Sequence, residues 1–92
     1  MTKRDNYKNE LAAVLAKITK PRLMKDFLAD LFSPREFSEI ALRWQVVKKL
    51  DKAEPQRKIA RDLGVGIGTV TRGAAELRDE EGGFREVLNL LR

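Results

Sequence analysis

Gln56 to Leu77 reads QRKIARDLGVGIGTVTRGAAEL, and the fold turns on this stretch. Ile59, Ala60 and Leu63 stand at i, i+1 and i+4, one helical face with a small residue where a second helix can approach closely. Gly64 follows where the chain must turn sharply, and glycine accepts the positive φ that such a turn demands. Val65 and Val70 then supply apolar anchors around the start of a second helix. Helix, glycine turn and helix in one register predict a helix-turn-helix over 56–78, the motif whose second helix enters the major groove of DNA. The competing reading is an ordinary helical hairpin in a small bundle.

Outward from this stretch, the pattern stays helical. Asp79-Glu80-Glu81 and Gly82-Gly83 end the second helix, and Phe84, Val87, Leu88 and Leu91 share a face of a final one, expected over 84–91. Upstream, Ser33-Pro34-Arg35-Glu36 is a helix start: Ser33 caps, Pro34 suits the first position and Glu36 completes a capping box. That helix is expected to reach Leu50 or Lys52, with Phe37, Ile40, Ala41, Trp44, Val47 and Leu50 on its apolar stripe. Trp44 is read as core. Pro21 separates two earlier helices. One, over 6–19, places Leu11, Val14, Leu15 and Ile18 at i, i+3, i+4 and i+7; the other, over 22–31, buries Leu23, Phe27, Leu28 and Leu31. Residues 1–5 are polar and expected to be disordered. No strand-like alternation or internal repeat is present. The expected architecture is all-α: one domain of six helices over 1–92.

Composition narrows the function. The 92 residues carry a formal net charge of +5, which fits a polyanionic partner such as nucleic acid. There is no cysteine and no histidine, so disulfides, zinc–thiolate sites and the commonest metal ligand and general base are excluded. The acidic residues are scattered, and GVGIGT lacks the preceding strand of a dinucleotide fingerprint. An enzyme, a metal site and a cofactor are therefore not expected. No apolar run is long enough to span a bilayer, and the charged N-terminus lacks a signal-peptide core, so a cytoplasmic protein is expected. Full apolar stripes on both terminal helices of so short a chain point to a second subunit, where a two-fold dimer would match paired DNA half-sites; the alternative is a monomeric six-helix cluster.

The DNA-facing candidates follow from the motif. Gly66 and Gly68 let backbone come close to bases or phosphates, and the open N–H groups of that helix start suit phosphate oxygens. Thr69 and Thr71 can bond bases or phosphates, and Ile67 can touch a thymine methyl. Arg57, beside Gln56 at the start of the first helix, has the planar fork that fits guanine. Arg78, Lys58 and Arg61 are read as phosphate contacts, with solvated surface charge as the plainer alternative.

From about Leu28 to Leu91 the chain resembles the bacterial tryptophan repressor family. The residues that carry the likeness are Ser33-Pro34, Arg43 within ALRWQVVKKL, Gln56-Arg57 and, above all, the run GVGIGTVTRG from Gly64 to Gly73. That family is itself a standard example of helix-turn-helix docking and of water-mediated operator contacts, so these features arrive with the resemblance. The resemblance implies an intertwined all-helical homodimer that represses transcription at a palindromic operator, with L-tryptophan as corepressor beside the helix-turn-helix. By position, Arg43 and Arg72 would sandwich the indole, Arg43 also lying near the carboxylate; guanidinium planes suit both tasks. Ser33 takes the place of a capping threonine near that carboxylate, and Gly73 leaves room for the ring. Backbone carbonyls near Asp30 and Phe32 would face the ammonium, and Arg57, Ile67, Gly68, Thr69 and Thr71 fall on DNA-facing positions. Two departures stand out. Glu76 occupies the place of a small hydroxyl residue beside the ammonium, where it can pair with the ligand or capture Arg72, and the link over 51–55 is one residue shorter than expected. The alternatives are a helix-turn-helix regulator with a different ligand or none, and a helical protein-interaction module that binds no DNA.

Overall fold

A computed structural model describes residues Thr2–Arg92, and among these it contains six α-helices and no strand. They are α1 (Lys3–Lys17), α2 (Pro21–Leu31), α3 (Pro34–Asp51), α4 (Gln56–Leu63), α5 (Ile67–Leu77) and α6 (Gly83–Leu90). By compactness the chain falls into two units, one up to Phe37 and the other Ser38–Arg92.

In the first unit, α1 starts earlier than its apolar pattern. The Thr2 hydroxyl accepts the Asp5 N–H at 3.1 Å, and the Asp5 carboxylate accepts the Thr2 N–H at 3.2 Å. This reciprocal capping box corrects the expectation of disorder over 1–5 as far as residues 2–5 are concerned; Met1 lies outside the described residues. The box uses Asp where Glu or Gln is the usual partner, which hid it in the sequence. α1 stops at Lys17, because the proline at 21 holds Lys20 extended (φ −92°, ψ 123°). The box at the start of α3 forms as expected: Glu36 N–H donates to Ser33 Oγ at 3.2 Å, and Ser33 N–H donates to Glu36 Oε1 at 2.9 Å. The backbone bond from Ser33, then its hydroxyl, hold the Glu36 carboxyl below the ordinary range. Neither α1 nor α2 contains a buried residue.

The second unit has a core in two parts. Val46, Ile59 and Val70 are buried together, with Leu50, Ala60, Leu63 and Val65 packed on them. Val47, Leu77 and Leu88 form the other part, flanked by Trp44, Leu50 and Phe84. Consecutive residues of α3 thus enter different clusters, since neighbours on a helix diverge by about 100°. One side of α3 holds the α4–α5 pair and the other holds α6. The sequence stripe, drawn as a single face, contained Val47 and missed Val46; Ile40, on the same stripe, is exposed. Trp44 is half-buried against the second cluster.

Two turns set how α4 and α5 hang on α3. Gly64 adopts φ 66°, ψ 34°, and Val65 N–H reaches back to the Ala60 carbonyl at 3.0 Å. Ala53 takes φ 60° in the α3–α4 link, where Glu54 N–H bonds the Lys49 carbonyl at 3.1 Å. Among the described residues it is the one non-glycine residue with positive φ.

Candidate ligand cleft and nucleic-acid interface

Thr69, Arg72, Gly73 and Glu76 are spaced i, i+3, i+4 and i+7 along α5, so they line one face of it. Opposite them stand Arg43, Val46 and Val47 of α3, and Phe84 closes one end from the start of α6. Together these residues line a cleft of about 250 Å³. That is somewhat below the roughly 300–1,000 Å³ of drug-sized pockets and suits a ligand of amino-acid size.

The floor is apolar and close-packed, with Val46 and Val47 both 1% exposed. Gly73 makes this possible. A Cβ there would meet Val46 Cγ1 at 3.1 Å and Leu50 Cδ1 at 3.5 Å, so its missing side chain lets α5 close on α3 as well as keeping the cleft open. The rim is charged. Arg43, Arg72 and Glu76 are exposed, and none makes an ion pair or hydrogen bond among the described residues. The i, i+4 pair of Arg72 with Glu76, one expectation for that glutamate, is therefore not formed. A second arrangement holds Phe84 in place. Asp51 receives Arg92 Nη2 at 2.6 Å and Arg85 Nη1 at 3.3 Å, while Arg85 Nη2 donates to the Leu77 carbonyl at 3.3 Å. These bonds tie α6 and the C-terminal residue to the ends of α3 and α5. The hydrogen bond from Arg92 above all, with the charges of both arginines, holds the Asp51 carboxyl below the ordinary range.

The other sequence candidates, Thr69 apart, are not among the residues that line the cleft. Arg57, Gly66, Ile67, Gly68, Thr69, Thr71 and Arg78 are all exposed. Gly66 caps α5 with no side-chain hydrogen bond, which leaves its first N–H groups open. Gln56 is half-buried, and its Oε1 accepts the Thr71 hydroxyl at 3.1 Å; that hydroxyl also lies 3.0 Å from the Ile67 carbonyl. Gln56 is thus a strut between the start of α4 and the middle of α5. Lys58 is occupied, held by Asp62 at 2.8 Å and Glu54 at 3.3 Å, bonds that raise its ammonium pKa in that order. Arg61 lies 3.6 Å from Asp62. Arg57 and Arg78 make no ion pair among the described residues. Asp30, Phe32 and Ser33 belong to the first unit: Asp30 is exposed in α2, Phe32 is its half-buried C-cap and Ser33 caps α3.

The structure adds Phe84, Val46 and Val47 to the cleft and gives Thr69 a place in it. The helical spacing of Thr69 with Arg72 and Glu76 was a usable signal for that residue. For Phe84, beyond the glycine pair, no local signal exists.

A glycine-turned α4–α5 pair with an amino-acid-sized cleft along the second helix places the chain among the helix-turn-helix proteins. The comparisons make this specific: residues 7–92 match the family described as Trp repressor protein, and the chain belongs to that family of transcriptional repressors. It is similar to the Trp operon repressor homolog of Vibrio parahaemolyticus, with 38% identity over 65 residues, 70% of this chain and 63% of that protein. The Trp operon repressor homolog of Chlamydia trachomatis serovar L2 is 31% identical over 74 residues, 79% of each chain. That of Mannheimia succiniciproducens is 42% identical over 55 residues, 59% of this chain and 54% of the other. No solved structure gives a significant match. No helix among the described residues is long and apolar enough to cross a membrane.

Proposed function

We propose that the protein is a homodimeric repressor that binds a palindromic DNA operator when L-tryptophan occupies the α3–α5 cleft. The observation that carries this is a pair of arginines, Arg43 and Arg72, without ion-pair partners on opposite walls of a cleft with an apolar floor. Guanidinium planes stack on an indole and pair with a carboxylate, and Phe84 offers a further ring contact. One wall of that cleft is α5, whose opened N-terminus, Ile67, Gly68 and Thr71, together with Arg57 on α4, supplies the DNA contacts. A ligand wedged against α5 is thereby coupled to the angle at which α5 meets DNA. Arg78 meets phosphate.

The dimer rests on the first unit. Leu11, Val14, Leu23 and Leu31 are 36–55% exposed on helices that bury nothing, an apolar surface that a second copy would cover. Such a protein acts in the cytoplasm, on DNA, without catalysis or a metal. Titration calorimetry tests the ligand: saturable heat with L-tryptophan at millimolar concentration, lost in Arg72→Ala, is expected, and no heat from the wild-type protein overturns the assignment. Light scattering tests the assembly, with a dimeric mass at micromolar concentration expected and a monomeric mass contradicting it.

A further inference from the structure

We infer that Arg85, which lies outside the cleft, is a positioning residue for the ligand: its guanidinium joins the last residues of α3 and α5 and so pins Phe84 at the end of the cavity. On the proposal that the cleft takes tryptophan, which this inference rests on, Arg85 holds the end wall that the ligand packs against.

The walls of the cleft are α3 and α5, and Asp51 and Leu77 are the last residues of those two helices. Arg85 reaches both at once. Its Nη1 donates to Asp51 Oδ1 and its Nη2 to the Leu77 carbonyl, each at 3.3 Å. A guanidinium carries its donors in one rigid plane, so two acceptors on the same fork are held at a set spacing, which a flexible ammonium does not impose. Both acceptors also need a cation. A helix ends in carbonyls that none of its own amides can reach, and its negative pole disfavours a carboxylate at the last residue. Leu77 supplies such a carbonyl and Asp51 such a carboxylate. The side chains of Asp51 and Arg85 are 17% and 33% exposed, so water and salt screen this pair less than an ordinary surface one.

Among the residues that line the cleft, Phe84 alone comes from outside α3 and α5. Its place relative to the two walls therefore depends on how α6 is tied to both. The chain before it offers little restraint, because Gly82 and Gly83 precede it and α6 starts without a side-chain cap. Restraint comes from the cluster of Val47, Leu77 and Leu88 that Phe84 packs on, and from Arg85, the next residue, which is bonded to both walls. A preformed wall spares the ligand the cost of ordering it on binding. Without the Arg85 bonds the ring is ordered only when ligand arrives, and affinity falls.

Calorimetry on the full chain with L-tryptophan tests this in a double-mutant cycle of Arg85→Met and Phe84→Leu. Arg85→Met keeps an unbranched apolar stem and removes every donor. Arg92 still holds Asp51, at 2.6 Å, so no carboxylate is left unpaired, and Leu88 keeps α6 in the core; the far-ultraviolet circular dichroism of the variant is expected to match that of the wild type. Arg85→Met should weaken tryptophan binding about fivefold or more when Phe84 is present and by less than about twofold in the Phe84→Leu background, where the ring that Arg85 positions is gone. A general loosening of the fold would weaken both backgrounds alike. Asp51→Ala, which removes only the acceptor on α3, gives a second reading of the same contact and should also weaken binding when Phe84 is present. Unchanged affinity in Arg85→Met or in Asp51→Ala, or equal losses from Arg85→Met in the two backgrounds, overturns the inference and leaves the tryptophan site standing. Failure of the wild-type protein to bind tryptophan overturns the site and the inference together.

Discussion

Two glycines of the same helix should respond to the same substitution in opposite directions. Gly68 and Gly73 both lie in α5, where replacing glycine by alanine gains about 0.5–1 kcal/mol by reducing the freedom of the unfolded chain. At Gly68 an added Cβ meets nothing within 4 Å, so Gly68→Ala should show that gain in full. At Gly73 the Cβ would sit 3.1 Å from Val46 Cγ1 and 3.5 Å from Leu50 Cδ1. Val46 cannot easily give way. It is 1% exposed, wedged with Ile59 and Val70, and as a β-branched residue in a helix it has one strongly preferred rotamer. Overpacking of this kind costs about 1–3 kcal/mol, so Gly73→Ala should be net destabilising by about 1 kcal/mol and should lie about 1–3 kcal/mol below Gly68→Ala. Urea unfolding at a fixed protein concentration, with the slope checked for constancy, reads the difference directly. If both variants are stabilised to the same extent, α5 does not close on α3 through Gly73, and the packing of the cleft floor described above is wrong.

Four other substitutions follow from the same core, its turns and the contacts of α6. Ile59 is fully buried while Ile67 is 49% exposed, so Ile59→Ala should cost about 2–5 kcal/mol and Ile67→Ala no more than about 0.5 kcal/mol in urea unfolding; comparable losses would refute the assignment of inner and outer faces. Ala53 holds φ 60°, a conformation that strains a side chain by about 1–2 kcal/mol, partly offset by glycine's greater entropy of about 0.5–1 kcal/mol. Ala53→Gly should therefore raise stability by about 0.5–1 kcal/mol, and a lowered urea midpoint would contradict the turn. The Asp51 carboxyl is held below its ordinary value of 3.8 by Arg92 and Arg85, so its contribution is complete above that value and is lost as pH falls through the lower folded value. Asp62 and Glu36 shift in the same direction. Stability should decline below about pH 4, and Asp51→Asn should be less stable at neutral pH with a shallower acid decline; an unchanged acid profile would remove the α6 strut from the account.

Much of the fold was legible because its signals are local. The Gly64 turn, the Ser33–Glu36 box and the Pro21 break each depend on a few neighbouring residues, and each helix was located to within a few residues. What stayed hidden depends on partners distant in sequence. Val46 looked like the wrong face of α3 because a single stripe describes a helix packed on one side, and α3 is packed on two. The role of Asp51 went unseen because Arg85 and Arg92, its partners, lie in and beyond the last helix. The cleft was half visible: Arg43, Arg72, Gly73 and Glu76 were named from the resemblance, and the structure places these four around one cavity. Phe84 reaches the same cavity only because the Gly82-Gly83 break redirects the chain. Lys58, read as a phosphate contact or as solvated surface charge, stands in ion pairs with Glu54 and Asp62 that the sequence reading did not foresee.

The central claim is that ligand in the cleft and DNA on the α4–α5 face are coupled. It is tested most directly by selecting a tight-binding duplex from a random pool and measuring its affinity by fluorescence anisotropy while L-tryptophan is titrated. The account predicts that DNA affinity rises with tryptophan and saturates, and that DNA in turn tightens tryptophan binding by the same factor, as linkage requires. Tight DNA binding that does not change across the titration would contradict it.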